Sequence, residues 1–80
     1  MANYVVNLPS LGEDAGEEAT VSFVYVGAGD EVKEEADLVE MVTDKATFNV
    51  PSPKSGKIVA MRVSEGDTVK VGSPICDMEI

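Results

Sequence analysis

An 80-residue chain has room for one thin core, and with one cysteine and no histidine it can form no internal disulfide and no histidine-activated nucleophile. Its net charge of −9 repels a phosphate backbone, which argues against nucleic-acid binding. No apolar run approaches the roughly 20 residues of a membrane-spanning helix, so no membrane role is expected.

In chain order, the first predicted strand is Tyr4 to Leu8. A Gly- and Glu-rich loop follows, and then a strand over Thr20 to Val26. Gly27 to Asp30 punctuate a turn before a short piece near Glu31 to Lys33. Strands over Leu38 to Thr43 and Ala46 to Val50 come next, separated only by Asp44 and Lys45. Pro51 to Gly56 form a turn-rich connector, after which Lys57 to Val63, Thr68 to Lys70 and Ile75 to Glu79 complete about eight strands. Glu31 to Val42 is rich in Glu and Ala and is the one helical-looking stretch.

An internal repeat decides against that helix. Displacing the sequence by 37 residues lays Gly29-Asp30-Glu31-Val32-Lys33 on Gly66-Asp67-Thr68-Val69-Lys70. The same offset puts Val21, Val24 and Val26 on Ile58, Met61 and Val63, and Leu38 and Met41 on Ile75 and Met78. The counterpart of the helical-looking stretch contains Gly72 and Pro74. Two β units, each unable to bury its apolar face alone, predict an all-β fold. The expected form is a flattened β-barrel or sandwich of two four-stranded halves with pseudo-twofold symmetry, and Lys45 lies on the central hairpin. Alternation places Val39, Met41, Ala46, Phe48 and Val50 inward and Glu40, Thr47 and Asn49 outward. Around residues 20–26 alternation and repeat disagree by one position, which predicts a bulge.

All of the net charge sits in the first half. Residues 1–40 hold ten acids against Lys33, whereas residues 41–80 hold five acids and five bases. This is a solvated acidic surface or one complementary to basic partners. The acidic loop lacks the spacing of a calcium-binding loop, and no glycine pattern fits a phosphate-binding loop. Cys76, flanked by Ile75 and Asp77 with Met78 beyond, reads as a small core hydrophobe in a reducing compartment. Met41, Met61 and Met78 read as core filler.

A two-residue connection forces a tight hairpin that projects Lys45 into solvent. Asp44 is expected to hydrogen-bond the turn backbone. Without the usual Asn-Gly or Asp-Gly, the turn is expected to carry some conformational cost. A lysine at a turn is ordinarily no more than a soluble residue. This one lies where the two repeats join.

The segment around it completes a wider pattern. Leu8-Pro9 with Leu11-Gly12-Glu13, Gly29-Asp30-Glu31-Val32, Thr43-Asp44-Lys45-Ala46-Thr47 and Val50-Pro51-Ser52-Pro53 are followed by Gly56-Lys57-Ile58, Glu65-Gly66-Asp67-Thr68-Val69 and Val71-Gly72-Ser73-Pro74-Ile75. In these motifs, over essentially its whole length, the chain resembles the lipoyl domains of the acyltransferase subunits of 2-oxo acid dehydrogenase complexes. The resemblance implies one carrier domain over residues 1–80, without an active site of its own, with lipoate joined in amide linkage to Lys45. It implies that Asp44 and Ala46 serve recognition and presentation, and that the loop containing Pro9, Ser10, Leu11, Gly12, Glu13 and Asp14 helps a partner select this domain. That loop is more acidic than the family pattern, and Ala19 replaces a common glycine.

The implied partners are a thiamine-diphosphate-dependent 2-oxo acid decarboxylase, an acyltransferase core, a dihydrolipoyl dehydrogenase, and a lipoate ligase or lipoyl/octanoyl transferase. Pyruvate is the first expectation for the 2-oxo acid. The isolated domain is expected to be monomeric, and its place is the bacterial cytoplasm or the mitochondrial matrix. Three alternatives share parts of the pattern. A biotin carboxyl carrier domain typically has Met on both sides of its lysine, where Asp44 and Ala46 stand here. An unmodified hammerhead-like interaction domain needs no cofactor. The hydrogen carrier of glycine cleavage is usually longer, with helical segments absent from this sequence.

Overall fold

The computed structural model describes residues 2–10 and 16–80. Eight strands form in chain order: β1 (Asn3–Asn7), β2 (Glu18–Val24), β3 (Glu31–Val32), β4 (Asp37–Val42), β5 (Thr47–Pro51), β6 (Gly56–Met61), β7 (Thr68–Lys70) and β8 (Pro74–Glu79). The described residues contain no helix, and Glu31 to Val42 is a short strand, a turn and a longer strand. The strands make two four-stranded antiparallel sheets, β1-β8-β6-β3 and β5-β4-β2-β7. They pack as a sandwich rather than a closed barrel, and a single core draws on both. Leu38, Met41, Ile58, Ile75 and Met78 are fully buried, each contributing about 1.5–3 kcal/mol of burial energy.

The repeat is visible in the geometry. β2, β3 and β4 correspond to β6, β7 and β8 at the 37-residue offset, and β5 takes in its sheet the place β1 takes in the other. Each short strand crosses to the sheet of the other half, so β3 pairs with β6 and β7 with β2. The halves therefore interlock, and neither sheet is complete without both.

The Gly-Asp motifs explain why this stretch repeats most closely. Asp30 accepts a hydrogen bond from the Gly27 N–H at 2.8 Å, and Asp67 accepts one from the Ser64 N–H at 2.8 Å. Between them Gly29 and Gly66 turn at φ 95° and 94°, where a side chain would be strained. The bulge expected in residues 20–26 occurs in β2 between Val21 and Phe23, and its twin occurs in β6 between Ile58 and Ala60. It reconciles the two patterns by turning both Ser22 and Phe23 outward, leaving Val21 buried and Val24 half-buried.

At the far end of β1 and β8, Ala2 and Ile80 exchange backbone hydrogen bonds at 3.0 and 2.9 Å. This pair packs beside the connector that follows β5. A Cβ on Gly56 would collide with the Glu79 carbonyl, the Ser52 hydroxyl lies 3.5 Å from the Met78 sulfur, and the Lys54 amine sits 6.0 Å from the Tyr4 ring centre.

Candidate site at the Lys45 hairpin

β4 and β5 stay paired to their last residues, Val42 opposite Thr47, and are rooted by Met41 and Val50 in the core. The connection between them is closed by Thr43. Its N–H donates to the Ala46 carbonyl at 2.8 Å, and its hydroxyl oxygen accepts from the Lys45 and Ala46 N–H groups at 3.2 and 3.1 Å. The hydroxyl also lies 3.3 Å from the Ala46 carbonyl, to which it donates. One side chain thus holds the backbone on both sides of Lys45.

Three expectations are corrected here. The turn is fixed by Thr43 rather than by the Asp44 carboxylate, which is exposed and makes none of these bonds. Among the described residues Glu35 is the one non-glycine at positive φ, so neither Asp44 nor Lys45 adopts the left-handed conformation behind the expected cost. Ala46 is exposed rather than inward, because the turn rather than the strand sets its direction. Thr43 is the residue that sequence reading missed. Its signal was a hydroxyl immediately before a two-residue turn, where Ser and Thr bond the following backbone much as Asp does.

Asp44, Lys45 and Ala46 form an exposed triplet at the tip. Among the described residues no carboxylate lies within ion-pair distance of the Lys45 amine. An exposed amine on a hydrogen-bonded turn is available for acylation, so the local chemistry fits covalent attachment of a carboxylic acid cofactor. Beside the hairpin runs an open groove lined by Glu17, Glu18, Thr20, Thr43, Asp44 and Thr68. The structure thereby brings the end of the loop before β2 against the lysine hairpin. Of the expected partner-loop residues, Pro9 and Ser10 are exposed, and Leu11, Gly12, Glu13 and Asp14 lie outside the described residues. Ala19 is buried in the core, where a methyl fills space that a glycine would leave open.

Cys76 is fully buried, and burial together with the neighbouring Asp77 pushes its thiol up to about 11. It is a core residue and no nucleophile. Met41 and Met78 are buried and Met61 is packed against the core, as core filler should be. Among the described residues no group of His, Cys, Asp and Glu is placed to hold a metal, and no helix is long and apolar enough to cross a membrane.

Residues 4–78 match the biotin/lipoyl family model, described as biotin-requiring enzyme. Over 80 residues the chain is 36% identical to the lipoamide acyltransferase component of the branched-chain alpha-keto acid dehydrogenase complex of Pseudomonas aeruginosa, covering all of this chain and 18% of that protein. Over 68 residues it is 43% identical to the dihydrolipoyllysine-residue succinyltransferase component of the 2-oxoglutarate dehydrogenase complex of Bartonella vinsonii subsp. berkhoffii, covering 85% of this chain and 16% of that protein. The chain thus spans less than a fifth of the length of these relatives. Among solved structures, the lipoyl domain of the 2-oxoglutarate dehydrogenase complex from Azotobacter vinelandii superimposes with a TM-score of 0.73 at 26% identity, covering 95% of each chain. The urea carboxylase of Kluyveromyces lactis contains the same fold, with a TM-score of 0.80 at 16% identity over 99% of this chain and 6% of that one. With its repeat, its two interlocked sheets and its exposed hairpin lysine, the chain belongs to the biotin/lipoyl-attachment family.

Proposed function

We propose that residues 1–80 act as a lipoyl carrier domain whose attachment point is the Lys45 amine. The observation that carries this reading is the tip itself, an exposed lysine with no ionic partner among the described residues, whose flanking backbone is fixed by Thr43. Asp44 and Ala46, in place of the methionines of biotin carriers, favour lipoate as the cargo. When bound, lipoate supplies a cyclic disulfide that can take up an acyl group and electrons and release both.

This chain's residues supply the rest. The β4–β5 ladder fixes the root of the arm, Thr43 holds the peptide groups on either side of it, and the exposed triplet gives an attachment enzyme access. Tethering raises the effective concentration of the cargo at each site it visits. The domain is a carrier and no catalyst of its own. The partners we propose are a thiamine-diphosphate-dependent decarboxylase, an acyltransferase core, a dihydrolipoyl dehydrogenase and a lipoate ligase or lipoyl/octanoyl transferase. The loop from Pro9 to Asp14 would help select among them, in a bacterial cytoplasm or mitochondrial matrix. Relatives from branched-chain, pyruvate and 2-oxoglutarate complexes match at 36%, 33% and 43% identity, so the proposed substrate class is 2-oxo acids rather than pyruvate in particular.

Expression with active lipoylation and biotinylation enzymes, followed by intact mass and peptide mapping, tests the assignment. A single lipoyl increment on Lys45, lost in Lys45→Arg, is expected. A biotin increment, or none on Lys45, refutes it.

A further inference from the structure

The β2 bulge has turned an unusual set of side chains to the outer face of the lysine-bearing sheet. Phe23 and Tyr25 are 48% and 43% exposed there, packed edge to face with ring centres 4.9 Å apart and planes at 69°. Glu40 lies beside them, accepting the Ser22 hydroxyl at 2.8 Å and the Tyr25 hydroxyl at 3.4 Å. Asn49 joins the cluster, 3.3 Å from the Tyr25 hydroxyl and donating to Asp37 at 3.1 Å. Glu65 approaches from the neighbouring turn, accepting the Val24 N–H at 3.4 Å. Partial burial, and then the negative charge of Glu40, hold the Tyr25 phenol above its ordinary range. Among the described residues no lysine or arginine is paired with any of these carboxylates.

The twin sheet shows what is missing. At the 37-residue offset Tyr25 corresponds to Arg62 and Glu40 to Asp77. There the Arg62 guanidinium binds the Asp77 carboxylate through Nε at 3.0 Å and Nη2 at 2.9 Å. The same backbone position therefore supports an arginine over a carboxylate, and the fold does not require aromatic rings. In the lysine-bearing sheet the carboxylate is kept, the guanidinium is gone, and two exposed rings stand in its place.

We propose that this face is a docking site for an arginine presented on the surface of a partner protein. A guanidinium is planar, stacks on an aromatic face and donates in fork geometry to a carboxylate. Glu40 and the Phe23–Tyr25 pair offer both halves of that recognition side by side. An ammonium, as a compact point charge, uses less of it. The net charge of −9 adds attraction for a basic surface. Glu40 and Asn49 face each other on β4 and β5, the strands that lead to the Lys45 turn. A partner seated here holds the hairpin tip alongside itself. The site stands whether or not Lys45 is modified, so its test is separate from that of attachment.

The isotope-labelled chain is titrated with a glycine-spaced peptide carrying two arginines, and with its lysine and citrulline counterparts. Amide shifts are expected to cluster at Ser22, Phe23, Tyr25, Glu40 and Asn49. Arginine should bind severalfold more tightly than lysine, because only the guanidinium both stacks on the rings and forks to the carboxylate, and citrulline, which carries no charge, should not bind. Tyr25→Arg recreates the arrangement of the twin sheet and should abolish binding, with Phe23→Ser as a second variant that weakens it. Both variants are first checked for a native amide spectrum. The proposal is overturned if arginine and lysine peptides shift Glu17, Glu18, Glu34 and Glu35 as strongly as this face. It is equally overturned if a folded Tyr25→Arg or Phe23→Ser binds arginine as the parent does.

Discussion

Replacing Thr43 by valine keeps the β-branched shape and removes only the hydroxyl. That oxygen accepts from two turn amides at 3.2 and 3.1 Å and lies 3.3 Å from the carbonyl it donates to. These are long contacts near solvent, so water replaces part of what is lost. At the low end of about 0.5–1.5 kcal/mol per hydrogen bond, the variant should lose about 1–1.5 kcal/mol. For a domain of this size that is a fall in Tm of about 4–12 °C. Amide exchange at Lys45 and Ala46 should rise together, because both N–H groups lose the same acceptor. Asp44→Ala should stay within about 0.5 kcal/mol of the parent, since its carboxylate makes no bond that closes the turn. Thermal melts followed by circular dichroism and site-resolved exchange measure both effects. The reasoning fails if Asp44→Ala costs as much as Thr43→Val, or if Thr43→Val melts with the parent and leaves both amides protected.

Two further outcomes follow from the pseudo-symmetry. Glu35 and Gly72 occupy equivalent turns at φ 73° and 89°, where a side chain costs about 1–2 kcal/mol and glycine relieves it at some entropic expense. Urea titration should therefore show Glu35→Gly stabilised by up to about 1 kcal/mol and Gly72→Ala destabilised by about as much; no gain in the first would show that the Glu35 turn is unstrained. Cys76, raised from 9.0 to about 11 by burial and Asp77, stays protonated in the fold after the unfolded thiol has ionised. Its contribution is complete below pH 9 and is lost as pH rises towards 11. Cys76→Val, which copies Val39 in the twin sheet, should remove that part of the alkaline decline, roughly 2–3 kcal/mol between the two variants across the window. Parallel decline of the two stability curves would argue that the thiol is not buried in its neutral form.

Much of this was legible because the repeat checks each element twice. Gly29-Asp30 and Gly66-Asp67 mark equivalent turns, and Pro74 ruled out a helix that Glu34, Glu35 and Ala36 favoured. The phase conflict in residues 20–26 located the bulge. What stayed hidden depended on which atom fills a given bond. Asp44 and Thr43 both offer oxygen to a turn, and only backbone geometry decides between them. Strand alternation carried Ala46 inward, but the ladder ends at Val42 and Thr47. The exchange of β3 and β7 between sheets leaves no local trace, since pairing partners are chosen by the packed whole. The pairing of Tyr25 with Glu40 was equally invisible until the bulge fixed the face of the sheet to which Phe23 and Tyr25 turn.

The backbone exchange between Ala2 and Ile80 gives the molecule two poles. That pair is the pseudo-symmetric counterpart of Thr43 and Ala46, the residues that close the lysine turn. Its neighbours Ser52, Lys54 and Gly56 lie beyond the end of β5 remote from Lys45. A strand pair that reverses at one pole is left open at the other. Lys45 and the Ala2–Ile80 pair thus sit at opposite poles, like the edge of a blade and its butt, so a surface meeting the hairpin tip head-on meets it away from Ala2 and Ile80.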